Sequence, residues 1–207
     1  MTIEEIDKLR KQLQESCDLL IDYIGPIKIG NKIQFPYGWR KAAKGRTVWR
    51  IVEEVITQNF EKYHSKFKIK KVTPADSEVG VFDMICEYEG GIIYINIKSA
   101  VEGGKRQKDD ISKAPGLLDF YREDPNRQFF IATFFIKFNP NMTIELTKSV
   151  VFPIAWIPDI YVNPSNNGNL QSAYYKDLKF AVKRTNKEFI KLLEQEYQIA
   201  LSKRKQK

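Results

Sequence analysis

The stretch GVFDMICEYEGGIIYINIKSA, residues 80–100, contains two apolar-rich runs on either side of a Glu-Gly-Gly turn. This pattern predicts a β-hairpin with strands at about 79–88 and 92–98. One acid, Asp83, comes early in the first run, and one lysine, Lys98, comes late in the second. Counting outward from the turn makes them cross-strand neighbours, and Asn96 shares a face with Lys98 because side chains repeat every two residues.

An acid beside a lysine at one end of a hairpin is suited to phosphodiester hydrolysis. Asp83 can bind Mg²⁺, which prefers oxygen ligands. Lys98 can position the attacking water and offset charge on the reacting phosphate. The alternative is that Lys98 discourages pairing at an edge strand, and the spacing of the three residues alone does not decide between the two.

The remaining elements follow from hydrophobic periodicity and turn residues. The predicted helices are 3–24, 47–63, 115–122 and 185–203. The other predicted strands are 67–72, 128–138 and 143–152, with loops at 101–113 and 161–170. The strand at 128–138 is apolar enough to be central, and Thr185 with Glu188 fits a capping box. The order predicts an α/β fold with a mixed central β-sheet flanked by α-helices.

Composition indicates one basic domain. The chain has 207 residues, of which 43% are hydrophobic, and this suits a single core over 1–207. The net charge of +8 favours a polyanionic partner, with a solvated basic surface as the alternative.

Several classes of protein are excluded or disfavoured. His64 is the only histidine, which excludes His-based triads and His-rich metal sites, and no C-x-x-C zinc pair is present. Cys17 and Cys86 are expected to be reduced and structural, as in a cytoplasmic protein. No apolar run is long enough to span a membrane, and the N-terminus is too charged for a signal peptide.

The hairpin motif resembles the PD-(D/E)xK nucleases, in which an acid on one strand is followed by D/E-x-K on the next. Asp83 matches the first acid and Lys98 the lysine, whereas Asn96 replaces the usual second acid, as in some restriction enzymes of this superfamily. The resemblance implies that Asp83, Asn96 and Lys98 are catalytic, with Asp83 and the Ile97 backbone carbonyl as metal ligands. The sequence does not show whether Asn96 is natural or an engineered replacement of an acid.

The chain is also similar, over about 45–190, to the HincII and HpaI group of type II restriction enzymes. The similar segments are GRTVWRIVEEVI (45–56), KSAVEGGKRQKDDISKAPGLLDFYR (98–122), YVNPSNNGNLQSAYYKD (161–177) and KRTNKEFIKLL (183–193). The group's order of elements implies one restriction-endonuclease-like domain. Its parts are an N-terminal helix at 3–24, a catalytic core at about 45–155, a DNA-reading loop at about 158–172 and a C-terminal helix at 185–203.

The resemblance implies a homodimer that uses Mg²⁺, and no nucleotide cofactor, to cut double-stranded DNA at a short palindrome, leaving 5′-phosphate ends. Blunt ends are expected, because the group mostly makes them. One alternative is a DNA-binding protein with a degenerate nuclease core, which Asn96 favours. The others are a repair or recombination nuclease of the same fold without sequence preference and, more distantly, a basic structural or RNA-binding protein.

The resemblance also assigns DNA contacts. Amides in the late loop suit bidentate contacts to adenine, although the same residue types are common in plain turns. The candidate base-reading residues are Asn163, Asn167, Asn169 and Gln171.

A basic loop after the catalytic lysine corresponds to the group's minor-groove arm. Its candidate DNA contacts are Lys105, Arg106 and Lys113, with Lys113 where some relatives push a side chain between bases; a solvated loop is the alternative. Glu53 and Glu54 lie on the helix that flanks the site, so either could be an accessory acid that compensates for Asn96, or simply a surface acid.

Overall fold

A computed structural model of the chain describes residues 1–40, 44–76, 80–165 and 168–205. These residues form four α-helices and two β-sheets. The helices are α1 (Ile3–Ile24), α2 (Gly45–Tyr63), α3 (Ala114–Glu123) and α4 (Asn186–Lys205). The strands are β1 (Ile27–Lys28), β2 (Lys71–Pro74), β3 (Met84–Tyr88), β4 (Gly91–Val101), β5 (Asp109–Lys113), β6 (Gln128–Phe138), β7 (Thr143–Pro153), β8 (Tyr161–Val162) and β9 (Asn169–Ser172).

The larger sheet has six strands in the order β1-β7-β6-β4-β3-β2. β4 and β6 are parallel, and the other neighbours are antiparallel. α1 packs on β7 and α2 on β4. The prediction of an α/β fold with a mixed central sheet and flanking helices is therefore confirmed. β6 lies between β4 and β7 and is almost entirely buried, as its continuous apolar run predicted.

Capping boxes define the starts of the first and last helices. At α1 the Thr2 hydroxyl accepts from the Glu5 N–H, and the Glu5 carboxylate accepts from the Thr2 N–H. Thr185 and Glu188 make the same reciprocal pair before α4, as predicted. Each pair satisfies N–H groups that have no partner within the helix.

The smaller sheet has three strands in the order β5-β9-β8. The prediction of loops throughout 101–113 and 161–170 was therefore wrong at Asp109–Lys113, Tyr161–Val162 and from Asn169 onward. β5 and β9 are short and mostly polar, β8 has only two residues, and β5 pairs with a segment far away in the chain. Local alternation of apolar residues therefore gives no signal for them.

The predicted strand at 67–72 is also corrected. His64–Phe67 continues α2 as a 3₁₀ turn, and β2 begins only at Lys71. Lys68 lies between them with φ +61°, a left-handed conformation that interrupts an extended chain. Phe67 and Ile69 are buried, so their apolar character reflects packing of the connection rather than the face of a strand.

The hairpin register differs from the predicted one. The turn is the two-residue Glu89–Gly90, because Gly91 already pairs with Tyr88. Met84 pairs with Ile95, and Asp83, which directly precedes β3, lies just outside the paired register, where it donates to the Ile95 carbonyl and accepts from the Ile97 N–H. The first strand begins at Met84; of the predicted extension, Val79 lies outside the described residues, and 80–83 are not in a strand.

Cys17 and Cys86 are buried and unbridged, as predicted. Among the described segments, no helix is both long and apolar enough to cross a lipid bilayer.

Candidate active site

A cleft of about 1600 Å³ lies between α2, the C-terminal half of β4 and the smaller sheet. Positive charge dominates its described lining, with nine Lys and Arg side chains against five Asp and Glu. The basic residues are Lys44, Arg46, Arg50, Lys98, Lys105, Arg106, Lys113, Lys148 and Lys176, and the acids are Glu53, Asp83, Asp109, Asp110 and Asp177. An excess of one charge in a concave surface concentrates ligands of the opposite sign.

Asp83 is fixed where β3 begins. Its backbone N–H donates to the Ile95 carbonyl (2.8 Å), and its carboxylate accepts from the Ile97 N–H (2.5 Å). Burial raises the pKa of Asp83, while the Ile97 N–H and the charge of Lys98 oppose that rise. Because the N–H and C=O of a strand residue point to the same side, the Ile97 carbonyl is directed to the side where Asp83 lies. The predicted ligand pair, Asp83 and the Ile97 carbonyl, is therefore adjacent.

Lys98 lies on β4 opposite Thr133 of β6 and lines the cleft. Burial lowers the pKa of its ammonium group, and the negative charges of Asp83 and Glu53 oppose this shift. The pairing of β4 with β3 ends at Ile95, so at Lys98 the strand is paired with β6 alone and the topology leaves the edge-strand alternative open; the position of Lys98 in the cleft is what favours a functional role. A lysine placed this way can neutralise an anion in the cleft or, once deprotonated, accept a proton.

The two candidate accessory acids face different directions. Glu53 lines the cleft, and burial followed by the charge of Asp83 raises the pKa of its carboxyl. Glu54 is exposed, and its carboxylate accepts a hydrogen bond from the Gln58 amide (2.6 Å). Of the two, Glu53 is the one that lines the cleft and whose carboxyl is affected by the charge of Asp83.

Asn96 lies on β4 and is buried, with 9% of its surface exposed. Its amide nitrogen donates to the Val81 carbonyl (3.3 Å) and the Ile111 carbonyl (3.4 Å). Its amide oxygen is buried and has no hydrogen-bond partner. The side chain therefore acts as a donor to the backbone in this structure.

The donor set can be compared with the requirements of Mg²⁺. Within the described ranges, no group of three or more His, Cys, Asp and Glu side chains is arranged to hold a metal. Asp83 and Glu53 are two carboxylates near enough for one to raise the pKa of the other. Mg²⁺ usually binds one or two carboxylates, with waters and substrate phosphates completing its shell. These two acids and the Ile97 carbonyl therefore fit a Mg²⁺ ion that also contacts a bound phosphate.

Three of the four candidate base-reading residues lie together on or beside the smaller sheet. Asn169 lines the cleft. The Gln171 amide donates to Asp110 (2.6 Å), and its oxygen faces the Asn163 amide at 3.5 Å. The Asn163 oxygen accepts from the Ser165 N–H (2.9 Å), so this side chain also shapes the turn. Asn167 lies outside the described residues.

In the basic loop, Lys105 and Lys113 lie where the sequence predicted them, whereas Arg106 contacts other protein side chains. Lys105 and Lys113 are exposed along the cleft, as expected for phosphate contacts. The Arg106 guanidinium instead lies over the rings of Tyr174 (4.9 Å) and Phe180 (4.6 Å) and pairs with Asp177 (3.4 Å). Arg106 thus fastens the loop to the segment that follows β9.

Sequence reasoning also missed several cleft residues. Trp49 and Arg50 line the cleft from α2, and Lys148 lines it from β7. The Asp110 carboxylate, at the rim of the same cleft, accepts a hydrogen bond from the Gln171 amide and orients that side chain. No sequence pattern connects β7 to the cleft, but Trp49 and Arg50 lie within one helical turn of Glu53, so that helix face could have been proposed from spacing.

Comparison of the chain with protein-family models and with curated protein sequences gives no match. Function is therefore inferred from the geometry of the cleft together with the resemblance of the sequence motifs.

Proposed function

We propose that this protein is a type II restriction endonuclease that uses Mg²⁺ to hydrolyse double-stranded DNA at a short palindromic site. The observation that carries the proposal is the convergence of Asp83, Lys98 and Glu53 at one end of β4, in a cleft with a basic lining. Two carboxylates beside a lysine suit metal-assisted phosphodiester hydrolysis, and the surrounding cations suit a DNA backbone.

The residues have distinct roles in this proposal. Asp83, Glu53 and the Ile97 carbonyl would hold Mg²⁺, which when bound neutralises charge on the reacting phosphate. Lys98 positions the attacking water and offsets the developing negative charge. The water oxygen bonds to phosphorus and releases a proton, the bond to the 3′ oxygen breaks, and the 3′ oxygen takes up a proton from solvent. The products are a 3′-hydroxyl on one fragment and a 5′-phosphate on the other.

Recognition is assigned to the smaller sheet and the loop beside it. Gln171, Asn169 and Asn163 supply amides that suit adenine edges in the major groove. Lys105 and Lys113 supply phosphate contacts, which position the duplex without reading sequence. A palindromic site implies two symmetric subunits, so we expect a homodimer on DNA.

A second candidate is a sequence-specific DNA-binding protein with a degenerate nuclease core. The arrangement of Asn96 favours it, because an amide stands where the resembling nucleases have a second acid and it binds backbone carbonyls. Such a protein would bind a site and leave it intact with or without metal.

The test is cleavage of a large sequenced DNA by the purified protein with Mg²⁺, followed by sequencing of the ends. We expect discrete fragments with 5′-phosphates, lost in EDTA and in Lys98→Ala. Lys71→Ala is the matched control, since Lys71 is exposed and pairs with Glu87 (3.7 Å) on the same sheet but outside the cleft.

Two other outcomes would redirect the proposal. A smear with the same dependence on Lys98 would indicate a nuclease without sequence preference. Specific binding with no cutting in any metal would favour the second candidate.

A further inference from the structure

Asn96 connects three separate segments of the chain. It belongs to β4, the strand that carries Lys98. One of its hydrogen bonds reaches Val81, two residues before Asp83, and the other reaches Ile111 of β5 in the smaller sheet. The Asn96 side chain therefore bonds two segments to the strand that carries Lys98. One is the segment that leads into Asp83, and the other is the smaller sheet.

The chemistry of this contact requires an amide. An amide nitrogen has two N–H donors, which matches two carbonyl acceptors, whereas an ionised carboxylate has none. Rotating the amide by half a turn would place its oxygen against both carbonyls, so the orientation is determined. The amide oxygen is buried without a hydrogen-bond partner, which already costs stability. A carboxylate here would also place its second oxygen against the Val81 and Ile111 carbonyl oxygens, which repel it.

We propose that Asn96 is a positioning residue that holds Asp83 and the smaller sheet in register with Lys98, and that an acid at this position would weaken the site. Its effect on cleavage rests on the proposed nuclease function, whereas its effect on the Asp83 segment does not. The second carboxylate of the site is then Glu53, and position 96 is occupied by an amide for a structural reason.

Asn186 offers a matched control in the same molecule. It has the same exposure, 9%, and its amide nitrogen also donates to two backbone carbonyls, those of Pro125 (3.3 Å) and Arg127 (2.7 Å). It stands at the start of α4 and does not line the cleft. Substitutions at Asn186 therefore report the general effect of losing such a contact.

The experiment compares Asn96→Ala and Asn96→Asp with Asn186→Ala and Asn186→Asp. Urea unfolding should show a lower midpoint for all four, with each Asp variant below its Ala counterpart. Amide hydrogen exchange should separate the two positions. Exchange of the Asp83 and Ile97 N–H groups should be roughly two- to tenfold faster in Asn96→Ala, the range expected for one lost hydrogen bond, and close to wild type in Asn186→Ala.

Cleavage gives the second readout. Single-turnover cleavage should slow in Asn96→Ala but not in Asn186→Ala at matched loss of stability. If the Asn96 variants are too unstable, Asn96→Ser keeps one donor and should show an intermediate change in exchange. The proposal is overturned if Asn96→Asp cuts faster than wild type with Mg²⁺, or if exchange at Asp83 and Ile97 does not change. If exchange behaves as expected but the wild-type protein never cuts DNA, the nuclease assignment fails while the positioning role stands.

Discussion

The two sheets that border the cleft differ in length, burial and chemistry. In the larger sheet, β4, β6 and β7 each have 11 residues and bury most of their apolar side chains. In the smaller sheet, β5, β9 and β8 have five, four and two residues, and their polar side chains bond both within the sheet, as Gln171 does to Asp110, and to neighbouring segments, as Asp109 does to Lys176 and Ser172 to Asp159. Rigid elements hold reacting groups most precisely, whereas short, half-exposed strands can change their side chains at little cost to folding.

If this division is correct, losing a group on the larger sheet should stop chemistry and spare DNA binding. Asp83→Asn should lower the cleavage rate by about 10²–10⁴-fold, the usual range for a group that acts in the transition state. DNA affinity should change by only a few-fold, because the basic lining remains. Single-turnover kinetics and a binding titration in Ca²⁺ would measure the two effects. Equal losses in rate and affinity would erase the proposed difference between the sheets.

The smaller sheet should show the opposite behaviour. Gln171→Ala should weaken binding to the recognition site by about 1–3 kcal/mol, the value of one bidentate base contact, and leave binding to unrelated DNA unchanged. Gln58→Ala is the control, since Gln58 is exposed on α2 and bonds to Glu54 outside the cleft. A uniform loss on all DNA would show that Gln171 does not read bases.

Glu53 and Glu54 are neighbours on α2, and substituting each one tests which carboxylate contributes to the proposed metal site. Glu53→Gln should weaken Mn²⁺ binding about tenfold, the lower end of the effect of altering a residue around a metal, and Glu54→Gln should leave it unchanged. Electron paramagnetic resonance of added Mn²⁺ measures this without relying on cleavage. Equal affinities in the two variants would remove Glu53 from the site.

The raised pKa of Glu53 also predicts the direction in which the free energy of unfolding changes with pH. Between the unfolded and folded pKa, the native state retains a proton that the unfolded chain has lost, so the free energy of unfolding falls as pH rises through that window. Above the window the loss is complete. In EDTA at neutral pH, Glu53→Gln should therefore raise the free energy of unfolding, because the variant has no carboxylate to ionise in the folded state. A destabilised variant in urea unfolding would mean that Arg50 and Lys98 outweigh the repulsion by Asp83.

The smallest effect is expected in the basic loop. Lys105→Ala should lower the slope of log affinity against log salt by about 1, as for the loss of one phosphate contact. Arg106→Ala should change that slope less, because Arg106 already pairs with Asp177 and lies over two aromatic rings. A larger change for Arg106 would show that it leaves those partners and contacts DNA.

The sequence predicted the larger sheet far better than the smaller one. β6 was predicted at its observed bounds because a long apolar run leaves few alternatives, and α1 because its apolar residues recur at helical spacing up to the Gly25-Pro26 stop. β5 and β9 were missed because strands of four or five polar residues are stabilised by pairing across a long stretch of chain, which no local pattern records.

The sequence predicted which strands carry Asp83 and Lys98, but it did not predict their offset, the acid of α2 that lines the cleft or the contacts of Asn96. Asp83 and Lys98 were placed at one end of the hairpin, but their offset depended on the turn, and the two-residue turn pairs Met84 with Ile95 and leaves Asp83 just outside the paired strand. The choice between Glu53 and Glu54 depended on the rotation of α2, which tertiary packing sets. The role of Asn96 depended on the backbone carbonyls of Val81 and Ile111, which have no signature in side-chain sequence.

The position of β5 in the chain has a consequence for how new specificities could arise. β5 lies in the crossover between the parallel strands β4 and β6, only a short loop after Lys98, whereas β8 and β9 lie between β7 and α4. The smaller sheet, to which we assign recognition, is therefore assembled from one segment that is continuous with the strand that carries Lys98 and one that is not. Variation can accumulate in the 161–172 segment without shifting the lysine, so this is the part of the chain to randomise when selecting for a different DNA site.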